Sequence, residues 1–310
     1  MRAIRYYRYG GPEVLRYEVA PRPVPGPGQV LVEVAGTSFN PADAAIRSGS
    51  MRYSYAVRLP HIPGFDLSGW VAALGPGVTG YRVGDPVIAY LPPEADGATA
   101  QLAVVPAEAL APAPSSIPLA DAAALPVAGL TAWQAVHEHL RVEPGQRLLV
   151  NGAGGAVGRL AVQFAKLAGT TVIGRAGPGS VGAALTAGAD LVMGRDRGAV
   201  VTPMVDAALN AAAAGGDELT GLVAQVRPGG HLVSITGAAP ADPRRRVTTS
   251  VMAVRRDTRQ LAEIARLVDS DGVTPGIAER LPLTETPLVH RRYAAGELRG
   301  KIVLSPPLAA

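Results

Sequence analysis

At 310 residues, with 48% hydrophobic and 17% charged side chains, the chain can bury substantial cores and exceeds a typical single domain, so two domains are expected. The formal charge is only +4 and the basic residues are scattered, which argues against a nucleic-acid partner and leaves a mild attraction for phosphates. There is no cysteine, which excludes disulfides, thiolate catalysis and thiolate metal sites.

The first eleven residues are charged and lead into no apolar run, so no secretory signal is read and a cytoplasmic protein is expected. Arg2, Arg5 and Arg8 interleave with Tyr6, Tyr7 and Tyr9. Such a pattern can stack single-stranded nucleic acid, but it also makes an exposed strand, which is the preferred reading. Up to about residue 115, β-branched runs at 30–34, 70–73 and 86–89 stand between proline and glycine clusters, predicting a compact β-rich domain. Pro21, Pro23, Pro25 and Pro27 stiffen the connection into the first of these runs. The most apolar stretch, 119–136, is interrupted by Asp121 and Pro126 and is not read as a membrane span.

From about Asp121, helical Ala/Leu/Val patterns alternate with short apolar strands at 147–150, 171–173, 191–193, 205–209 and 231–235. That alternation predicts parallel βα units with both sheet faces covered. The alanine-rich patch 207–216 reads as helix-end or loop material. Over 257–269, Leu261, Ile264, Ala265, Leu267 and Val268 have helical spacing. The chain then returns to strand-like pieces ending in Lys301-Ile302-Val303-Leu304, expected to rejoin the first domain.

The sharpest local signal is Leu148-Leu149-Val150-Asn151-Gly152-Ala153-Gly154-Gly155-Ala156-Val157-Gly158, followed by an amphipathic helix pattern. Strand, tight turn and helix come in the order a dinucleotide pyrophosphate requires: small side chains admit the phosphates, and free amides at the helix start stabilise their charge. Ala153, Gly155 and Gly158 have A-x-G-x-x-G spacing. About 20 positions on, NAD-selective proteins of this kind carry an acidic residue, whereas an arginine accommodates the 2′-phosphate of NADPH. This chain has Gly174-Arg175 with no acid beside it, so NADPH is the expected cofactor, with Arg175 as phosphate partner and Ser180 and Arg195 as helpers.

These residues resemble the medium-chain dehydrogenase/reductase superfamily, specifically its zinc-free, zeta-crystallin-like quinone oxidoreductase branch. The resemblance runs nearly end to end, through Asn40-Pro41-Ala42-Asp43, Pro63-Gly64-Phe65-Asp66-Leu67-Ser68-Gly69, Val83-Gly84-Asp85-Pro86-Val87, Ala123-Ala124-Leu125-Pro126-Val127-Ala128-Gly129-Leu130-Thr131-Ala132-Trp133, the glycine turn, and Gly300-Lys301-Ile302-Val303-Leu304. It implies an α/β protein. A GroES-like substrate domain is expected at 1–120 and 266–310, and a Rossmann doubly wound parallel sheet at 121–265. A homodimer with an interdomain active site is also implied. Zinc relatives bind their metal through Cys and His, whereas Asn40 and Phe65 stand at those positions here, so no metal is expected.

The resemblance further implies that Asn40 donates a hydrogen bond to a developing enolate oxygen and that Asp43 shapes its loop. It also implies that Thr131 lies by the nicotinamide, with Ile235, Thr236 and Gly237 lining its other side. Positions carrying tyrosine in many quinone reductases are Ala45 and Met51 here, so Tyr53, Tyr55 or water is left as the acid. Other departures are Val181 where a lysine is common and Gly194 where a tyrosine is usual. Hydride transfer to a conjugated acceptor, a quinone or an α,β-unsaturated carbonyl, is the expected reaction, with a dedicated enoyl reductase as a variant. The alternative is a structural or regulatory NADPH-binding protein without reductase activity.

Overall fold

The computed structural model of the protein describes residues 1–194 and 203–307. They form two compact units: Met1–Val127, Arg256–Gly272 and the chain from Ile277 onward make the first, Ala128–Arg255 and Val273–Gly276 the second.

The first unit is built on a seven-stranded sheet. Its central strand, Gln29–Ser38, pairs antiparallel with Asp66–Leu74, Leu102–Pro106 and Lys301–Ser305. Asp66–Leu74 pairs antiparallel with Pro86–Tyr90. Val30, Val32, Val34, Leu67, Val71 and Val87 pack together as its core. β-branched side chains suit that pleated surface, and burying each contributes about 1.5–3 kcal/mol. The antiparallel register has a consequence for chemistry. Where the central strand ends at Ser38, its neighbours begin at Asp66 and Lys301 and the next strand ends at Tyr90, so four strand termini share one end of the sheet. Near the N-terminus, Arg2–Arg5 pairs with Arg16–Val19, with Ala3 and Ile4 turned inward and arginines stacked over Tyr7 and Tyr17.

The second unit is a six-stranded, all-parallel sheet. In spatial order its strands are Leu191–Met193, Thr171–Arg175, Arg147–Asn151, Val205–Asn210, Val226–Ser234 and Thr248–Val251. This is the doubly wound Rossmann order, reversing direction between Arg147–Asn151 and Val205–Asn210, where such sheets bind ligands at the strands' carboxyl ends. Leu149, Ile173, Ala208, Leu222 and Leu232 fill its interior.

The structure places two of the sequence stretches in more detail. The patch 207–216 is not all helix end or loop, because Ala207, Ala208, Leu209 and Asn210 are paired on both sides within the sheet. This is the strand expected at 205–209. The apolar stretch near 119–136 breaks into Leu119–Ala122 and Pro126–Trp133, then continues as a π-helical segment, Gln134–Leu140. Among the described residues no helix is long and apolar enough to cross a membrane.

Candidate functional site

In the second unit, strand Arg147–Asn151 delivers the chain into the glycine turn and helix Ala156–Leu167. The turn is held by Gly152 and Ala153 amides donating to the Arg175 carbonyl, at 2.9 and 3.1 Å. A side chain would not fit at two positions. A Cβ on Gly158 would stand 2.0 Å from the Gly152 oxygen, and one on Gly154 would stand 2.4 Å from the Ser180 oxygen. Gly155 caps the helix without a side-chain hydrogen bond, and the first bond into the helix is Arg159 N to Gly155 O at 2.9 Å. The helix start thus presents backbone amides and a positive dipole end on a surface only small residues line, which fits a pyrophosphate.

Beside the turn, the strand ends are tied by amides. Asn151 Nδ2 donates to Asn210 Oδ1 at 2.8 Å, and Asn210 Nδ2 donates to Ser234 Oγ and Thr236 Oγ1 at 3.1 and 2.9 Å. Thr236 Oγ1 donates to the Ala212 carbonyl at 2.9 Å, so its hydroxyl is committed to this ladder. Among the described residues Asn151 Oδ1 is buried with no donor. Ile235 and Gly237 follow on the same segment, their amides held by Asn210 O and Ser234 Oγ. Arg175 ends its strand only 4% exposed, and Ser180 lies against Gly154. Thr131 is buried on helix Pro126–Trp133. Arg195 lies outside the described residues.

In the first unit, the shared sheet end gathers polar groups that sequence alone does not connect. Asn40 follows the central strand and starts helix Pro41–Ser48. Asp43 Oδ2 accepts from the Asn40 amide at 2.8 Å and Oδ1 from the Gly64 amide at 3.1 Å, which fixes the loop. Burial pushes the Asp43 carboxyl up to about 7, although both amides favour its charged form. The Asn40 side chain is itself buried: Nδ2 donates to Asp66 Oδ2 at 2.7 Å, and Oδ1 accepts from Lys301 Nζ at 2.8 Å. Lys301 and Asp66 pair at 3.0 Å with side chains 2% and 0% exposed.

The two tyrosines proposed from sequence are placed differently. Tyr53 is 89% exposed under the Arg52 guanidinium, whereas Tyr55 is half-buried and close enough to Tyr90 to raise its pKa. Tyr90, not singled out from sequence, pairs in register with Asp66 at the same sheet end. Burial, with Tyr55 and Asp66 adding, pushes its phenol up to about 12, so it stays protonated. The only sequence signal for it is its place closing the run that begins at Pro86. The histidines have structural roles: burial lowers His61 to about 4 and His290 to about 3, and His290 Nδ1 accepts from Arg47 Nε at 3.2 Å. Among the described residues no three His, Asp or Glu side chains are grouped to hold a metal ion.

Comparison with known proteins agrees with this architecture. Residues 26–115 match the profile of the alcohol dehydrogenase GroES-like domain, and residues 187–304 that described as zinc-binding dehydrogenase. A quinone oxidoreductase of Mus musculus is 36% identical over 178 residues, covering 57% of this chain and 53% of the mouse protein. The chain thus spans about half the length of that curated relative. A solved NAD-dependent alcohol dehydrogenase superposes with a TM-score of 0.90 at 28% identity, covering 99% of this chain and 100% of its own. A mycobacterial protein solved with NADPH does so with a TM-score of 0.84 at 28% identity, over 99% and 100%. With these two family models matched and quinone oxidoreductases among its relatives, the chain belongs to the medium-chain dehydrogenase/reductase superfamily, in the branch that contains the zeta-crystallin-like quinone oxidoreductases.

Proposed function

We propose that the protein is a zinc-independent, NADPH-dependent oxidoreductase that passes hydride to a conjugated acceptor, a quinone or an α,β-unsaturated carbonyl. The observation that carries this reading is the uncapped, glycine-lined start of helix Ala156–Leu167 at the point where the parallel strand order reverses. When bound, NADPH supplies the hydride. Amides at the start of the helix hold the pyrophosphate, and Arg175, with no acid beside it, favours the 2′-phosphate. Asn40 offers an amide N–H to the acceptor's oxygen as negative charge grows there. Tyr90, protonated across the working pH range, is the candidate acid in place of the exposed Tyr53. A conjugated acceptor spreads its charge and is reducible without a metal. The quinone oxidoreductase relative and the NADPH-bound neighbour support this choice, and the NAD-dependent neighbour makes cofactor preference a point to measure. The same reading includes a cytoplasmic homodimer, with Thr248–Val251 as an edge strand open to a second copy.

The test is acceptor-dependent oxidation of NADPH over a panel of quinones and enones, run with and without a chelator. Turnover that is indifferent to chelation is expected. Tight NADPH binding with no turnover on any acceptor would favour a binding protein without reductase activity.

A further inference from the structure

We propose that Lys301 and Asp66 are positioning residues that clamp the Asn40 amide from its two ends, leaving one of its N–H groups for the acceptor. This inference rests on the reading of Asn40 as the donor to the acceptor's oxygen.

The geometry is a closed ring in which the Asn40 side-chain amide bridges a lysine and a carboxylate that also touch each other. Lys301 Nζ can only donate, and it has three acceptors: Asn40 Oδ1 at 2.8 Å, Asp66 Oδ2 at 3.0 Å and the Phe39 carbonyl at 3.4 Å. An ammonium can bond only the oxygen of the amide, so Nδ2 is left to the carboxylate. There Asp66 Oδ2, an acceptor, takes one hydrogen at 2.7 Å. Asp66 is held in turn by the Ser38 hydroxyl on Oδ2 and by the Val127 amide on Oδ1 at 2.7 Å. Among the described residues the second hydrogen on Nδ2 has only a long contact, 3.5 Å to the Ser38 carbonyl, and it is the one left for a ligand. Both charges are almost wholly buried, where charge–dipole interactions are strong and little screened. The amide is therefore fixed before any acceptor arrives, which is what a pre-organised donor requires.

The pair need not be present for stability. Replacing a buried ion pair by neutral groups of similar shape is often neutral for folding, whereas removing one partner leaves an uncompensated charge. The informative variant is therefore Lys301→Met with Asp66→Asn, which removes both charges and keeps an acceptor for the Val127 amide.

Two measurements are made on the full-length protein labelled with ¹⁵N-asparagine, the Asn40 signal being identified by its loss in Asn40→Ala. Hydrogen exchange of the Asn40 side-chain amide should be at least about tenfold faster in the double variant than in the wild type. Its kcat for enone or quinone reduction should fall on the order of a hundredfold while KM for NADPH is unchanged. If the double variant folds and Asn40 keeps its exchange protection, the clamp is overturned. If the wild type turns over no acceptor, the functional reading fails, and amide exchange still decides the clamp. Should the double variant not fold, Lys301→Gln replaces it with the same exchange readout and the same criterion.

Discussion

Asn151 and Asn210 join the carboxyl ends of the two strands between which the Rossmann order reverses, through a buried 2.8 Å hydrogen bond between their amides. The bond sits directly beneath the glycine turn, since Gly152 follows Asn151 in the chain. Removing Asn210 leaves the Asn151 amide and the Ser234 and Thr236 hydroxyls short of a partner. Asn210→Ala is expected to destabilise the protein by about 1–3 kcal/mol and to weaken NADPH binding. Chemical denaturation and fluorescence titration measure the two effects.

Asp43 gives the protein a pH signature. Its folded pKa, about 7, lies above the ordinary 3.8, so between those values the folded state keeps a proton that the unfolded chain has lost. The stabilisation is full below about pH 4 and is lost as pH rises through 7, at roughly 1.4 kcal/mol per unit of difference. The wild-type Tm should therefore fall as pH rises from about 4 to 7 and level off above that. Asp43→Asn should flatten that slope; an unchanged slope in a folded variant would place the titration elsewhere.

Arg175 is expected to set cofactor preference. A charge-assisted bond to the 2′-phosphate contributes about 1.5–3 kcal/mol, so Arg175→Ala should weaken NADPH binding by roughly ten- to a hundredfold and leave NADH binding nearly unchanged. Equal losses for both nucleotides would show that this buried side chain supports the fold of the turn instead.

The two tyrosines separate by location. Tyr90→Phe should lower kcat by at least about tenfold, as loss of a positioned acid does, while Tyr53→Phe should leave turnover at the wild-type level because that ring stands in solvent. With its phenol at about 12, Tyr90 should produce no alkaline limb in the pH–rate profile below about pH 10. Steady-state kinetics of both variants from pH 6 to 10 tests the pair.

What the sequence reveals follows the range of the interactions. The glycine turn is legible because its requirement is local: Gly152, Gly154 and Gly158 have no room for a side chain whatever else the chain does. The helix Thr258–Ser270 is legible through the spacing of Leu261, Ile264 and Val268. Lys301 and Asp66 are 235 residues apart, and only the antiparallel register of three strands brings them to Asn40. Tyr90 is hidden for the same reason. Asn40 itself is visible in its motif, but the motif does not reveal that its oxygen and one N–H are already engaged. The strand Val205–Asn210 is legible through its short apolar run, although alanine is depleted in strands.

The most direct test of hydride transfer is a single turnover with NADPH deuterated at the transferring C4 position, an enone acceptor, and mass spectrometry of the product. One deuterium per reduced molecule is expected, carried at the β-carbon and independent of added chelator. Product formed without deuterium, or none formed while NADPH is demonstrably bound, would contradict the assignment of this chain as a hydride-transferring reductase.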